Sequence, residues 1–159
     1  MSRPSLRAKL NDMGNRISSS IGERKLDVLL ANMSARLADD VYVFATCPDR
    51  HWPETLRPMA TVQEPEGATL ILRKSDAEAA ALAYTFPCRM ITLHVHSALD
   101  AVGFVARIST ALASAEMGVN PVAGYFHDHL FVPEGREADA LNILYQLSKE
   151  AKLRLETGE

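Results

Sequence analysis

Residues 90–96 alternate without a break: Ile91, Leu93 and Val95 point one way, and Met90, Thr92, His94 and His96 the other. A run of period two has one face to bury, and the chain that follows supplies the cover. Across residues 99–117 the period changes to that of a helix, with Ala101, Val105, Ile108, Leu112 and Ala115 in one stripe broadened by Phe104 and Ala111. Gly118 stands where a helix closes through a left-handed residue. Residues 119–126 and 129–132 read as paired strands around a turn at His127 and Asp128. Pro121 has no N–H to give to a ladder, which assigns the first of the two to an edge or a strand start. Residues 137–148 then repeat the helical period on Ala140, Leu141, Leu144 and Leu147, and the charged residues beyond are expected to fray.

The upstream half is built from the same parts. Leu26, Val28, Leu29, Leu30, Met33 and Leu37 recur at helical spacing over residues 24–38, with Asp39 and Asp40 as the stop. Residues 41–45 form a continuous run of strand formers, and Cys47-Pro48-Asp49 closes it. Residues 59–63 and 69–72 predict a hairpin around the Glu64-Pro65-Glu66-Gly67 turn. Ser75 and Glu78 have the spacing of a capping box, continued by Ala80 to Ala83, and Pro87 predicts a boundary.

The two halves echo one another as α+β units, each too small to bury much core alone. They predict two modules, 23–86 and 87–150, that share or exchange a strand near Phe86 to His96. Residues 1–22 form a basic lead segment, with Arg3, Arg7, Lys9 and Arg16 against Asp12. That leaves −6 of the total charge of −3 on the rest. An acidic folded part argues against a broad nucleic-acid footprint. Cys47 and Cys88 make no CxxC, so a reducing, cytoplasmic setting without disulfides is expected. No apolar run reaches the roughly 20 residues that cross a bilayer, so no membrane partner is expected.

The segment RMITLHVHSALDAVGFVARISTALASAEMGVNPVAGYFHDHLFVP resembles the ACT-domain superfamily, in particular a small group of bacterial ACT-like proteins, and LLANMSARLADDVYVFATCP and ATLILRKSDAEAAAL extend the resemblance to residues 24–148. It implies tandem ferredoxin-like modules of βαββαβ order, antiparallel sheets with helices on one face, and effector binding between paired domains. The family's aspartate and glycine in the first strand-to-helix turn fall on Asp100 and Gly103, while Ala101 and Val102 depart from the common residues between them. Asn120 matches the polar position at the entry to the second strand.

The implied ligand site is thus Asp100, Ala101, Val102, Gly103 and Asn120. Backbone N–H groups at a helix start hold a carboxylate, and an aspartate beside them takes an ammonium group. The plain alternative is that Asp100 caps the helix and Gly103 serves packing. His94, His96, His127 and His129 form a second candidate, since the first and third strands of such a sheet are neighbours and clustered imidazoles bind zinc-like ions. Ordinary structural histidines are the competing reading. There is no GxSxG, P-loop, HExxH or Rossmann glycine run, and neither cysteine stands by a base. A non-enzymatic regulatory protein is expected, without cofactor, that binds a small amino-acid-like ligand and self-associates, with Tyr125, Phe126 and the open sheet as the candidate surface. A structural or oligomerisation module without ligand is the alternative.

Overall fold

The computed structural model describes residues 25–95 and 98–158. The elements are α1 (Leu26–Asn32), β1 (Ser34–Cys47), β2 (Ala60–Glu64), β3 (Gly67–Arg73), α2 (Lys74–Ala79), β4 (Tyr84–His94), α3 (Phe104–Ser114), β5 (Asn120–Ala123), β6 (Asp128–Pro133) and α4 (Glu137–Thr157). The six strands make one antiparallel sheet in the order β2-β3-β1-β4-β6-β5. The basic segment 1–22 and His96 lie outside the described residues.

Two long strands at the centre explain the internal echo. β1 pairs with β3 only from Tyr42 to Cys47, and β4 pairs with β6 only from Cys88 to Leu93. Along nearly their whole length β1 and β4 also pair with each other, from Ser34 opposite His94 to Ala45 opposite Tyr84. Strands β2-β3-β1-β4 therefore form one ferredoxin-like half and β1-β4-β6-β5 the other. Each long strand opens one half and closes the other, so both halves share a single sheet.

The helices pack on one face. Leu29, Leu30, Ile91, Leu93, Ile108, Leu112, Leu130 and Leu144 form the larger core between α1, α3, α4 and the sheet. Val43, Ala45, Leu70, Leu72 and Ala77 form the smaller one, where Trp52 and Leu56 of the 48–59 loop do the work of a helix. The other face carries Tyr42, Ile71, Cys88 and Phe131 with Phe44, Phe86 and Met90 around them, and no helix residue joins that cluster. Phe131 meets Tyr42 and Phe44 edge to face at 5.8 and 5.7 Å.

Several boundaries depart from the sequence expectation for identifiable reasons. The expected helix over 24–38 stops at Asn32, because Ala35 and Leu37 take alternate places in a strand against β4. Asp39 and Asp40 then sit in a bulge, between the Leu37–Ile91 and Val41–Arg89 rungs. Ser75 does not cap α2: Arg73 is the N-cap, without a side-chain bond, and Glu78 accepts the Tyr84 hydroxyl at 3.0 Å instead. Pro87 lies within β4 and not at its border, just before the β6 ladder begins, and its carbonyl accepts Glu134 N–H.

The expected helix over 99–117 is shorter at both ends. Leu99 and Val102 are 70% and 85% exposed, so nothing rewards a helical turn there. At the far end Glu116, at φ +55°, takes the left-handed position expected of Gly118, and Glu116 and Met117 donate to Ala113 and Leu112 in a Schellman arrangement. The strand expected over 119–126 is confined to β5, and Asp128 opens β6 instead of turning the chain.

The residues beyond Ser148 do not fray. α4 continues to Thr157 because Ala151 is buried and Arg154 pairs with Asp27 of α1 at 2.8 Å. Ala151→Asp is therefore expected to lower stability by about 3 kcal/mol or more, through an unpaired buried carboxylate. Leu153→Ala, at an exposed position of the same turn, should stay within about 0.5 kcal/mol. Urea denaturation of the two variants checks the contrast.

Candidate functional site

The N-cap of α3 is Gly103, at φ +90° and ψ −11°, which has no side chain with which to close the first turn. Asp100 lies three residues before it and so does not hold the N-cap position. A left-handed residue other than glycine costs about 1–3 kcal/mol, which accounts for Gly103 by backbone conformation. Space does not require it, since a Cβ there would meet Leu26 Cδ2 of α1 at an ordinary 3.6 Å. Ala101 N–H donates to Ala98 O at 2.9 Å, and Ala101 packs on the larger core while Asp100 and Val102 face solvent.

Asn120 is exposed at the start of β5, opposite Phe131, which in turn lies opposite Met90. The rung nearest the end of β4 is instead Ala123–Asp128–Leu93. Three rungs, about 10 Å, and strand β6 thus separate Asn120 from the end of β4 that leads to the turn. The structure brings residues 100–103 together; it sets Asn120 apart along the sheet.

Of the four candidate histidines, His94, His127 and His129 lie among the described residues and on neighbouring positions of the sheet. His94 of β4 and His127 have ring centroids 4.9 Å apart, and His129 Nδ1 lies 3.0 Å from Thr92 Oγ1 across the β4–β6 ladder. His127 Nδ1 is buried with no hydrogen-bond partner among the described residues. Burial is the main force holding His129 below the ordinary imidazole range. His127 and His94 add to it, and Asp128 works in the opposite direction. No group of three or more His, Cys, Asp or Glu among the described residues is placed to hold a metal ion.

The cysteines are apolar, protonated thiols. Burial pushes Cys88 up to about 12, and burial and then Asp49 raise Cys47, whose thiol donates to His51 O at 2.9 Å. Tyr125 and Phe126 stack edge to face at 4.8 Å in the β5–β6 turn, about half exposed. Sequence reasoning missed Arg36, which stands opposite Thr92 on the histidine-bearing face. Its signal was the alternation of residues 34–37, hidden because that stretch also fits a helical period.

The fold defines a protein built of two interleaved ferredoxin-like modules. The ACT domain family matches the chain twice, over residues 21–89 and 85–146. The chain is 38% identical to a Vibrio cholerae protein of unknown function described as a possible transport protein. It covers 95% of that structure with 77% of its own length, at a TM-score of 0.68. An Agrobacterium tumefaciens protein shares the fold at 12% identity and TM-score 0.63, with 73% of this chain and 89% of that one covered. So does the ligand-free regulatory subunit of aspartate kinase from Thermus thermophilus, at 10% identity and TM-score 0.56 with 71% and 95% covered. No curated protein matches the chain. The chain belongs to the ACT-domain family.

The lowered His129 pKa fixes a pH dependence of stability. In the unfolded chain His129 takes a proton near its ordinary value of 6.5, whereas the folded state resists it. Its contribution is therefore full above 6.5 and is lost as pH falls toward the folded value. Urea midpoints of the wild type should drop on going from about pH 7.5 to about pH 5.5, and His129→Gln should flatten that drop. An equal drop in the variant would contradict the assignment.

Proposed function

We propose that the protein is a non-catalytic regulatory protein whose β4–α3 turn binds a small amino-acid-like effector. The observation that supports this reading is the start of α3 at Gly103, where an eleven-residue helix begins on an N-cap residue that has no side chain. The first N–H groups of α3 suit a carboxylate, and exposed Asp100, three residues back, suits an ammonium group. Family membership supports the regulatory role, since ACT domains commonly bind amino acids. Two modules, 23–86 and 87–150, joined through β1 and β4 make the unit on which the effector acts.

In this mechanism occupancy shifts a population of module or subunit arrangements, with no covalent step. Leu26 of α1 lies against Gly103, so the turn and α1 move as neighbours. Self-association is part of the reading, supported by the outer edge of β1 over residues 34–37, where among the described residues the ladder runs to β4 alone. Among the described residues no helix is long and apolar enough to cross a membrane.

A thermal-shift screen of the full chain against the common amino acids tests it. A ligand at about a hundred times its Kd stabilises by about 2.7 kcal/mol, a rise of several degrees in Tm for a chain of this size. One amino acid should give that rise in the wild type and none in Asp100→Ala, whose own Tm should stay near that of the wild type. A flat response to every amino acid at millimolar concentration sinks the effector reading.

A further inference from the structure

A groove of about 550 Å³ runs between α4 and the start of β1. Its direction follows from the chain. Ser148 of α4 donates to Ala31 O at 3.2 Å and Arg154 pairs with Asp27, so residues 27–35 run antiparallel to α4. The lining is graded along that direction. Ala35, Leu141 and Leu144 form one end, where the larger core comes to the surface. Met33 and Ser148 stand midway, and Lys149 and Lys152 form the other end. From Leu141 to Lys152 the helix spans about 16 Å.

The charges on this lining have one sign. Among the described residues no carboxylate lines the groove, and neither exposed lysine makes an ion pair or a hydrogen bond. Glu150 lies between the two lysines in sequence, but the turn of the helix carries it to the other side of α4. Asp27 of α1 is held by Arg154. The lysines lay their aliphatic stems along apolar surface and keep their ammonium groups at its end. A mostly apolar hollow of this volume, with a few polar groups gathered at one end, suits a small amphipathic molecule.

The same charges select among occupants. The lead segment 1–22, which precedes α1, carries +3 and is repelled by the two ammonium groups. A strand of a second copy would pair in the plane of the sheet, on the N–H and C=O groups at the edge of β1. The groove lies on the helix side of that edge, where the Ala35 side chain joins the larger core.

We propose that this groove binds a small monocarboxylic acid with an apolar stem. The stem lies along Ala35, Leu141 and Leu144, and the carboxylate oxygens accept from the Lys149 and Lys152 ammonium groups. Met33 packs on the middle of the stem. With no carboxylate to receive an ammonium group, the groove favours an acid without one, unlike the effector assigned to the β4–α3 turn. The site is separate from that turn and does not depend on it.

Calorimetric titration of the full chain with sodium acetate, hexanoate and octanoate, and with octanamide, tests the site. Affinity should rise roughly threefold with each methylene along the series. Octanoate should bind roughly threefold to tenfold tighter than octanamide, and the exposed double variant Lys149→Gln with Lys152→Gln should lose that margin while binding octanamide as the wild type does. Ala35→Leu, which fills the apolar end, should weaken both ligands. In the wild type, octanoate should shift the backbone amide resonances of residues 33–35 and 141–152. Asp100→Ala should bind octanoate with full affinity, so a chain that answers octanoate and no amino acid keeps this site and loses the turn. No saturable binding of octanoate at millimolar concentration, equal affinity for octanoate and octanamide, full affinity in the double lysine variant, or resonance shifts confined to the opposite face of the sheet would overturn the proposal.

Discussion

The antiparallel ribbon of β1 and β4 is the constraint on which everything else rests. Every other strand pairs with one of these two or with a strand that does, so a break in the ribbon removes a strand from both halves at once. The ribbon is not regular: two extra residues bulge from β1 between Leu37 and Val41. Arg89 holds that irregularity. Its guanidinium donates to Ala38 O at 2.7 Å and to Glu137 at 3.2 Å, so a single side chain joins the bulge to the start of α4. The pair is mostly buried, a setting in which removing one partner strands the other and costs far more than the intact pair contributes.

The bulge also explains how one strand serves two cores. Ala35 and Leu37 enter the larger core, and Val43 and Ala45 enter the smaller one, on the same face of the sheet. Between them the bulge resets register and twist, and Tyr42 and Phe44 are delivered to the opposite face. Phe86, at φ +54°, makes the matching adjustment on β4 beside its irregular pairing with β1. The aromatic cluster on that second face thus sits over the junction of the two halves.

Which of these features the sequence reveals follows from the range of the forces involved. The alternation of residues 90–94, the Pro65-Glu66-Gly67 turn and the stripe of Ile108 and Leu112 are local patterns, and each lies where its periodicity places it. The sharing of a strand near Phe86 to His96 is legible because neither half alone has enough strands. Residues 33–38 were misleading for a physical reason: Met33 and Leu37 satisfy a helical spacing, and only pairing with the distant β4 selects the strand. The same error hid Arg36. The approach of His94 to His127 was legible because neighbouring strands in a ferredoxin-like sheet bring such pairs together, whereas Asn120 was tied to the turn by resemblance and not by register.

The candidate turn is mechanically connected to the ribbon through α1. This seven-residue helix is too short to persist by itself, so its position depends on its contacts. Leu26 lies against Gly103, Asp27 pairs with Arg154 of α4, and Ser148 of α4 donates to Ala31 O at 3.2 Å. Met33 then leads directly into β1. A displacement at the start of α3 would reach Leu26 first, and α1 can yield only by loosening its hold on α4 or by pulling on β1. Because β1 completes both halves, a local change at one turn is carried to the strand that the two halves share. The long central strands therefore do more than complete two small sheets, since they give the two modules no independent way to respond.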